Sequence, residues 1–509
     1  MIDLQADVAI VGSGFGGSVT ALLLERAGLR PVLIERGRHP RLALGESSTP
    51  LANLLLQHLG QRYDLPQLVP FGEYGSWQAA YPQLACGLKR GFSYFKHEHG
   101  RAFTPRNDRG NELLFAASAT SDDADMHWYR PDFDHFLVRE VQAAGIPYFD
   151  RTEVTATNDG QHWTLQGNAD GEPLAIRAEF LIDASGDAGF VCKSLGISRE
   201  PVGMQTHSRV VFGHFADVGL WSDLYAAQGG KVDGHPFPCD DAALHHIIDG
   251  GWMYVLRFNN GVTSAGFMLD TRLHPVDESL SADDEWQALL GQYPSVQAQF
   301  VAATITPECE RIRRTPRLQR RAVQTAGPNW ALLPFSAYRL DALHSTGNAH
   351  TLCGVERLVQ ILEQRLPRDA RTAALQAYDR TLQSEIDTVD EIVHGCYSAF
   401  SRFDLLVSYA MFYFAAATVS EHARRKHRRQ TASAFLLSGD PEFRQALRLA
   451  SGQLQQVLQA GPTSRSDEEA YGRFVAGLLQ PYNIAGLCDP ARQNMYPFSK
   501  VDYTLRGHE

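Results

Sequence analysis

The order of hydrophobic and polar positions predicts a buried parallel sheet near the beginning of the chain. An apolar run at residues 6–11 is followed by a helical pattern at 16–27 and by a second apolar run at 31–35. Two short apolar strands joined through a helix are typical of parallel strands that are buried on both faces. A further apolar run, at 180–183, predicts another buried strand much later in the chain.

Two other periodicities follow in the middle and at the end of the chain. Residues 205–270 alternate polar and apolar side chains between glycine-rich turns, which predicts an antiparallel sheet. From residue 367 onward, apolar residues recur at helical spacing, so we expect a helical C-terminal region whose aromatic side chains line a pocket or pack in the core. The longest apolar run, 404–420, is shorter than the roughly 20 residues that a membrane-spanning helix needs. We therefore predict a buried helix there and no membrane partner.

Glycines occupy the turn between the first strand and the first helix. Gly12, Gly14 and Gly17 have the G-x-G-x-x-G spacing of a dinucleotide-binding turn. Gly12 permits the tight turn, Gly14 lets backbone N–H groups approach a pyrophosphate, and Gly17 lets the helix pack on the strand. The pyrophosphate is expected at the helix N-terminus. Glu35 ends the second strand, where an acidic side chain binds the hydroxyls of an adenosine ribose in NAD and in FAD alike.

Composition and charge favour one enzyme without a nucleic-acid partner. The 509 residues are 44% hydrophobic and 21% charged, as in an ordinary globular protein. The net charge of −11 argues against binding to nucleic acid or to an anionic membrane, and the basic run 423–429 is predicted to be a solvated helix face. The seven cysteines have no C-x-x-C spacing, which argues against a disulfide framework or a zinc site. A strand within the first ten residues argues against a signal peptide, so we expect a cytoplasmic protein.

Two later segments distinguish between the two dinucleotide cofactors. GESSTP at 45–50 directly follows the second strand, where nicotinamide dehydrogenases usually continue a doubly wound sheet. FLIDASGDAG at 180–189 can return the chain to the cofactor. Together with the glycine turn, these segments resemble the FAD-binding half of the flavin monooxygenases and the flavin-dependent halogenases. The resemblance implies an α/β, Rossmann-like FAD-binding fold of the GR2 type, with FAD held by Gly12, Ser13, Gly14, Gly17, Glu35, Arg36, Ser47, Asp183, Gly186 and Asp341.

Within that superfamily, two segments resemble the flavin-dependent halogenases. LACGLKRGFSYFKHEH at 84–99 carries Lys89 in an apolar, aromatic stretch and looks like the active-site lysine segment of that family. LDALHSTGNAHTLCGVERL at 340–358 is similar to the family segment that contains S-T-G beside the flavin. Two adjacent N–H groups at a helix start form a concave donor site for an anion. The resemblance therefore implies that the amides of Thr346 and Gly347 border the halide, in a helix that we expect to begin near residue 348.

The same resemblance implies a reaction and its partners. A separate flavin reductase supplies FADH2, because the chain has no second nucleotide fingerprint. Chloride or bromide is then oxidised with O2 to hypohalous acid, which migrates to Lys89. Its ammonium can hydrogen-bond the acid, or its amine can form a haloamine. An electron-rich phenol, pyrrole or indole ring, free or tethered to a carrier protein, attacks the halogen. We expect His344, beside Ser345, to remove the ring proton because neutral imidazole is a competent base near pH 7.

Three features depart from the halogenase pattern. Pro334 and Phe335 stand where many members of the family carry a Gly-Asp pair that binds FAD, so weak FAD binding is expected. Ala342 replaces the usual proline after Asp341. The motif W-x-W-x-I-P is present only as WMYVLR at 252–257. An FAD-dependent aromatic hydroxylase, which would not need Lys89, and a degenerate flavoprotein that acts as a binding subunit therefore stay as alternatives.

The positions of these motifs predict an interleaved domain organisation. We expect a discontinuous FAD-binding module at about 1–50, 130–200 and 325–365, substrate-sheet segments at about 51–129 and 201–324, and a helical region at 366–509. The protein is expected to be a monomer or a homodimer. His97 and His99 form an H-x-H pair, but no third ligand accompanies them in the sequence, and we predict no metal site.

Overall fold

The chain folds into two large sheets and a helical region. The computed structural model describes residues 2–426, 434–461 and 464–498. Its strands in chain order are β1 (Ile2–Val11), β2 (Pro31–Ile34), β3 (Cys86–Lys89), β4 (Gly91–Lys96), β5 (Glu112–Ala116), β6 (Asp125–Trp128), β7 (Tyr148–Phe149), β8 (Val154–Asn158), β9 (Trp163–Ala169), β10 (Glu172–Asp183), β11 (Ser208–Ala216), β12 (Ala243–Ile248), β13 (Gly251–Arg257), β14 (Thr263–Asp270), β15 (Thr304–Ile305), β16 (Arg313–Arg314), β17 (Arg320–Arg321), β18 (Ala326–Gly327), β19 (Trp330–Leu332), β20 (Tyr338–Arg339) and β21 (Met495–Tyr496).

The α-helices lie between these strands and, from α10 to α14, follow one another near the end of the chain. In chain order they are α1 (Phe15–Arg26), α2 (Pro50–Arg62), α3 (Tyr74–Ala80), α4 (Arg130–Ala143), α5 (Phe190–Leu195), α6 (Trp221–Ala227), α7 (Ala282–Gly291), α8 (Pro294–Gln299), α9 (Pro334–Ala337), α10 (Thr346–Glu363), α11 (Arg368–Ala399), α12 (Phe403–Lys426), α13 (Pro441–Gln459) and α14 (Arg465–Leu479). Ser464 forms a capping box with Asp467 at the start of α14.

The first sheet is built around β1. This strand pairs in parallel with β10 on one side and with β2 on the other, so that Val8 lies opposite both Phe180 and Pro31. The full strand order is β18-β19-β10-β1-β2-β7, with β8 and β9 attached through β10. The residues at the end of β1 are buried on both faces, as the continuous apolar run predicted. The predicted α/β, Rossmann-like architecture is confirmed.

The second sheet contains the antiparallel strands that the alternation of residues 205–270 predicted. Strands β11, β14, β13 and β12 are neighbours and antiparallel. The sheet continues beyond this range, because β4 joins β12 in parallel and β5 joins β4. Its last strand is β21, which lies near the end of the described chain and pairs with β5. The region predicted to be helical from 366 onward contains helices α11–α14, which end at Leu479, and the chain then adds the two-residue strand β21 to the second sheet.

Helix α12 is the apolar helix expected near 404–420. It is 24 residues long, and by length and composition it could cross a membrane, but 72% of its most apolar window is buried within the protein. In its last turn Arg425 and Lys426 of the basic run are exposed, as expected, but Arg424 departs from the predicted solvated face. Arg424 is buried, and its Nη2 donates to the Glu356 carboxylate at 2.8 Å. Residues 427–429 of that run lie outside the described residues.

Gly17 provides a test of the packing between the first strand and the first helix. A β-carbon at Gly17, within α1, would overlap with the carbonyl oxygen of Gly12. We predict that Gly17→Ala lowers the free energy of unfolding by about 3 kcal/mol, because neither backbone can move aside without strain. Gly452→Ala in α13 is the matched control, because a β-carbon there meets open space and should stabilise the helix by up to about 1 kcal/mol. Equal changes in the free energy of unfolding of the two variants, measured by chemical denaturation, would contradict the prediction.

Candidate active site

A cavity of about 450 Å³ is enclosed between residues of the two sheets. On one side it is lined by the glycine turn at Gly14 and by the loop 184–188 that follows β10. On the other side its lining includes side chains of β11 and β13. A cavity at the carboxyl ends of parallel strands is where ligands bind in open α/β sheets. This is the place that the glycine motif predicted for a dinucleotide.

The chemistry at one end of this cavity fits a pyrophosphate. Helix α1 begins beside Gly14, and no side chain caps its first amides, which leaves them available to an anion. The cations Arg36, Arg41 and Arg130 also line the cavity. Arg130 is held in place by two hydrogen bonds to Asp134, at 2.7 and 2.8 Å.

The predicted ribose-binding carboxylate lies next to these arginines. Glu35 is buried and accepts hydrogen bonds from the amides of Ser13 and Gly37, at 3.0 and 2.8 Å, and from Arg41 at 3.2 Å. Burial disfavours its charge, but Arg41 and the two amides outweigh this effect and lower the pKa of Glu35. Ser13 Oγ donates to the same carboxylate. Glu35 is thus an anion near neutral pH, as an acceptor of ribose hydroxyls must be.

Asp183 does not itself line the large cavity, and its predicted role in cofactor binding stays a prediction. Its Oδ1 accepts hydrogen bonds from the amide and hydroxyl of Ser185, and its Oδ2 accepts one from the amide of Val191. These bonds occupy both carboxylate oxygens and fold the loop after β10. Asp183 thus shapes this loop, while Ala184, Ser185 and Gly186 line the cavity itself.

The predicted residues near the far end of the cavity are held by a second set of bonds. Asp341 lines the cavity and accepts hydrogen bonds from Trp252 Nε1 at 3.2 Å and from Tyr397 Oη at 2.7 Å. Burial raises the pKa of Asp341. Phe335 also lines the cavity, and its ring packs near Gly45 and Gly347. An apolar ring therefore occupies the position of the carboxylate in the Gly-Asp pair of many family members.

The predicted halide site lies at the start of α10. His344 and Ser345 both have a left-handed backbone, with φ of 66° and 54°, and this reverses the chain before the helix. The helix begins at Thr346, two residues before the expected start, and no side chain caps its first amides. The Thr346 and Gly347 amides are thus available as donors at the positive end of an 18-residue helix. Ser345 Oγ donates to Ser47 Oγ at 2.9 Å.

A second, smaller cavity lies on the other side of Thr346. Its volume is about 60 Å³, and Thr346 lines both cavities. Its walls are mainly apolar and include six aromatic residues, Phe92, Phe115, Tyr413, Phe414, Phe435 and Phe498. Tyr413 and Phe414 of α12 thus line a pocket, while their neighbours in α12 pack in the core. The segment 47–49 also connects the cavities, because Ser47 faces the large one and Thr49 the small one.

Lys89 is fixed to the wall between these cavities. Its side chain is fully buried, and Nζ donates a hydrogen bond to the carbonyl of Ser48, in the middle of the segment 47–49. Nζ also lies 4.1 Å from the ring centre of Phe92, which lines the small cavity. The strand β3 ends at Lys89 and pairs with β6, so that Lys89 lies opposite Asp125. Burial lowers the pKa of Lys89 and raises the pKa of Asp125, and the attraction between the two charges opposes both shifts.

The structure corrects the orientation expected for His344. Its ring is buried and stacks on Tyr413, with ring centres 4.3 Å apart. Its Nδ1 is 3.2 Å from Tyr94 Oη, and its Nε2 is 3.5 Å from Cys396 Sγ. Burial holds the pKa of His344 well below its usual range. His344 thus lies behind the aromatic wall of the small cavity, because the left-handed turn points its side chain into the core.

The structure separates the two histidines of the H-x-H pair. His97 is buried, and its Nε2 is 2.9 Å from His246 Nδ1. His99 is exposed in the loop after β4, near the ring of Tyr293. Within residues 2–426, 434–461 and 464–498, no group of three or more metal-binding side chains is found.

Several lining residues were not expected from the sequence. Arg130 is one of them, because it lies in a helix that has no recognisable motif. Glu46 and His214 form a buried ion pair of 2.9 Å, and both line the large cavity. Burial disfavours the charge on His214, but Glu46 outweighs it and raises the pKa of His214. Glu46 lies within the segment GESSTP, which was singled out from the sequence. His214 has no signal in the sequence other than its place in an alternating strand.

Comparison with known proteins identifies relatives over most of the chain. Residues 7–211 match the family model described as FAD dependent oxidoreductase. The chain is 28% identical over 453 residues to monodechloroaminopyrrolnitrin halogenase PrnC of Pseudomonas fluorescens, and the match covers 86% of this chain and 76% of the relative. It is also 28% identical over 426 residues to tetracycline 7-halogenase of Kitasatospora aureofaciens, with 82% and 74% covered.

A solved structure has the same fold. The crystal structure of halogenase PltM in complex with phloroglucinol and FAD aligns with a TM-score of 0.84 at 21% identity, over 96% of this chain and 99% of that one. The family model and the relatives confirm the resemblance to FAD-dependent halogenases and the choice of FAD as the cofactor.

Gly14 provides a test of FAD binding in the large cavity. A β-carbon there would make only ordinary contacts, about 3.6 Å from Arg130 Nη2, so Gly14→Ala should leave the free energy of unfolding nearly unchanged. We predict that it weakens FAD binding about tenfold or more, because the methyl group occupies space next to the helix N-terminus. Flavin fluorescence measures the affinity, and Gly477→Ala, in an open position of α14, is the control. Unchanged affinity in Gly14→Ala would be evidence against this location.

Proposed function

We propose that this chain, an FAD-dependent oxidoreductase homologous to flavin-dependent halogenases, installs chlorine or bromine on an electron-rich aromatic ring. The observation that carries the proposal is the hydrogen bond from Lys89 to Ser48, in the segment 47–49 whose two ends line different cavities. One cavity has the donors and cations that suit FAD, and the other has aromatic walls that suit the ring. A hydroxylase would have no use for a buried ammonium on the wall between them.

The residues of the large cavity are suited to hold the cofactor and the halide. We assign the adenosine diphosphate part of FAD to Gly14, Glu35 and the arginines beside them, and the flavin end to the neighbourhood of Asp341 and the start of α10. When bound, reduced FAD together with O2 supplies the oxidant that converts chloride or bromide into hypohalous acid. The amides of Thr346 and Gly347 face this cavity and stabilise a halide there through the helix dipole.

Lys89 is assigned to carrying the halogen through the wall. Hypohalous acid is small and neutral, and an ammonium or amine in a buried wall can bind it while water is excluded. The bond from Nζ to Ser48 keeps the nitrogen beside the segment that faces both cavities. Asp125 on the neighbouring strand compensates part of the cost of burying the lysine charge. The halogen thus reaches the ring from a fixed direction.

The small cavity is assigned to the aromatic substrate. Stacked and edge-on aromatic side chains are the surroundings in which a flat ring binds well. The small volume favours a small aromatic ring system, such as a phenol, pyrrole or indole, over a large polycyclic one. Five points stay predictions. They are the supply of FADH2 by a separate flavin reductase, a substrate that is free or tethered to a carrier protein, a monomeric or homodimeric state, weak FAD binding and a cytoplasmic location.

Lys89→Met tests the halogen-carrying role. Methionine has a similar length and suits a buried site, so we expect the fold and the oxidation of FADH2 to be retained. Bromination of a phenol, measured with a flavin reductase, NADH, FAD and bromide, should fall by about 10² to 10⁴, the range for one catalytic group.

Lys96→Met, on the neighbouring strand β4, is the control and should brominate like the parent. Hydroxylated product from the parent chain would support the hydroxylase instead. If the parent makes no product and does not oxidise FADH2, the degenerate flavoprotein is supported.

Ala417→Phe tests the assignment of the small cavity. Ala417 lines that cavity, and a phenyl group there would occupy the space of the ring. We expect the yield of brominated phenol to fall about tenfold or more, which corresponds to about 1.4 kcal/mol. Free hypobromous acid, trapped by a soluble scavenger, should rise because its formation in the large cavity is unaffected. Val419→Phe, two residues further along α12, is the control. Equal yields from both variants would mean that the ring binds elsewhere.

A further inference from the structure

One face of α12 forms a wall of the small cavity. Phe414, Ala417, Thr418 and Glu421 follow one another at helical spacing, so they lie on the same side of the helix. Of the described residues that line this cavity, Glu421 alone carries a charge. A carboxylate in a cavity that is otherwise lined by apolar residues and threonines is a specific chemical feature, because it accepts hydrogen bonds and cannot donate them.

The hydrogen bonding of Glu421 leaves one of its oxygens available. Arg425 Nε donates to Oε1 at 2.9 Å, in an i,i+4 pair along the same side of the helix. Glu421 Oε2 has no hydrogen bond to another residue within the described ranges. The carboxylate is largely buried, with 17% of its side-chain surface exposed, while the guanidinium of Arg425 is half exposed. Burial raises the pKa of Glu421, and Arg425 opposes this shift.

A ligand that fills the cavity displaces the water around this oxygen, and a carboxylate oxygen left without water is costly unless a donor meets it. Aromatic walls bind the faces of a flat ring, so the donor that reaches Glu421 must be a group on the ring itself. We propose that Glu421 accepts a hydrogen bond from an O–H or N–H group on the aromatic substrate, and so selects phenols and N–H heteroaromatic rings. This inference rests on the proposed function of the small cavity. It gives Glu421 the role in ring activation that the sequence suggested for His344.

The same contact promotes the attack of a phenol ring on the halogen. As the ring carbon forms its bond to the halogen, the O–X bond of the hypohalous acid breaks, and its oxygen leaves as water with a proton from the Lys89 ammonium. The phenol proton passes to Glu421, so the ring becomes a neutral dienone instead of a cation. The C–H proton then moves to the Lys89 amine while the ring oxygen takes back its proton. Both side chains return to their starting forms.

A pair of substrates separates this role from a structural one. Resorcinol and 1,3-dimethoxybenzene are both electron-rich rings, but only resorcinol has O–H donors. In the parent chain we expect a much larger kcat/KM for bromination of resorcinol. Glu421→Leu should lower kcat/KM for resorcinol by about 10- to 100-fold and leave that for the dimethyl ether within about threefold, because the ether never used the carboxylate. Glu421→Gln keeps an acceptor without the charge, so its kcat/KM for resorcinol should lie between the values of the parent chain and of Glu421→Leu.

The control removes a similar ion pair far from the cavity. Glu469 in α14 pairs with Arg465 at i,i+4, and Glu469→Gln should brominate both rings like the parent. An equal loss for both substrates in Glu421→Leu, or no loss for either, would overturn the inference while the proposed function stands. If the parent chain brominates no aromatic ring, the proposed function fails and this inference fails with it. Scavenged hypobromous acid shows that each variant is folded and loaded with flavin.

Discussion

A buried ammonium must find an acceptor, and in this chain the carbonyl of Ser48 is that acceptor. The bond connects the end of β3 to the segment 47–49, whose two ends face different cavities. Without water to solvate it, the Lys89 charge would cost several kcal/mol if the carbonyl or Asp125 were missing. The same segment is bound on its other side by Ser345 and Asn348 at the start of α10. One buried charge thus brings together the lysine strand, the wall and the helix proposed to bind the halide.

The two sheets have separate tasks around this wall. The first sheet presents the amides of a glycine turn and the loop after β10, which are fixed dipoles that an anionic cofactor needs. The second sheet and α12 present aromatic side chains, which exclude water and suit a flat ring. If the cofactor and the ring occupy different cavities, as we propose, the oxidant has to travel, and a group on the wall has to hold it. This separation would be the physical basis for halogenation in place of direct transfer of oxygen from the flavin to the ring.

Two titratable side chains near the small cavity illustrate how burial decides a role. His344 is next to the start of α10 in sequence, but its ring is enclosed by Tyr94, Tyr413 and Cys396, and burial keeps it neutral. Glu421 is far away in sequence, but α12 brings it to the cavity with one oxygen open to a ligand. A neutral ring packed behind an aromatic wall supports that wall. A carboxylate at the edge of the wall can meet the substrate.

The sequence by itself determined the parallel sheet, the glycine turn, the antiparallel strands of 205–270 and the buried helix, because each depends on local spacing and periodicity. It also indicated Lys89, Thr346 and Gly347, through motifs that are short and continuous. The tertiary structure decided which way side chains point and which distant segments meet. The left-handed backbone at His344, the loop-shaping bonds of Asp183, the return of β21 to the second sheet and the approach of Glu421 all depend on contacts between residues far apart in the chain. No local pattern encodes such contacts, because they form only when whole elements pack.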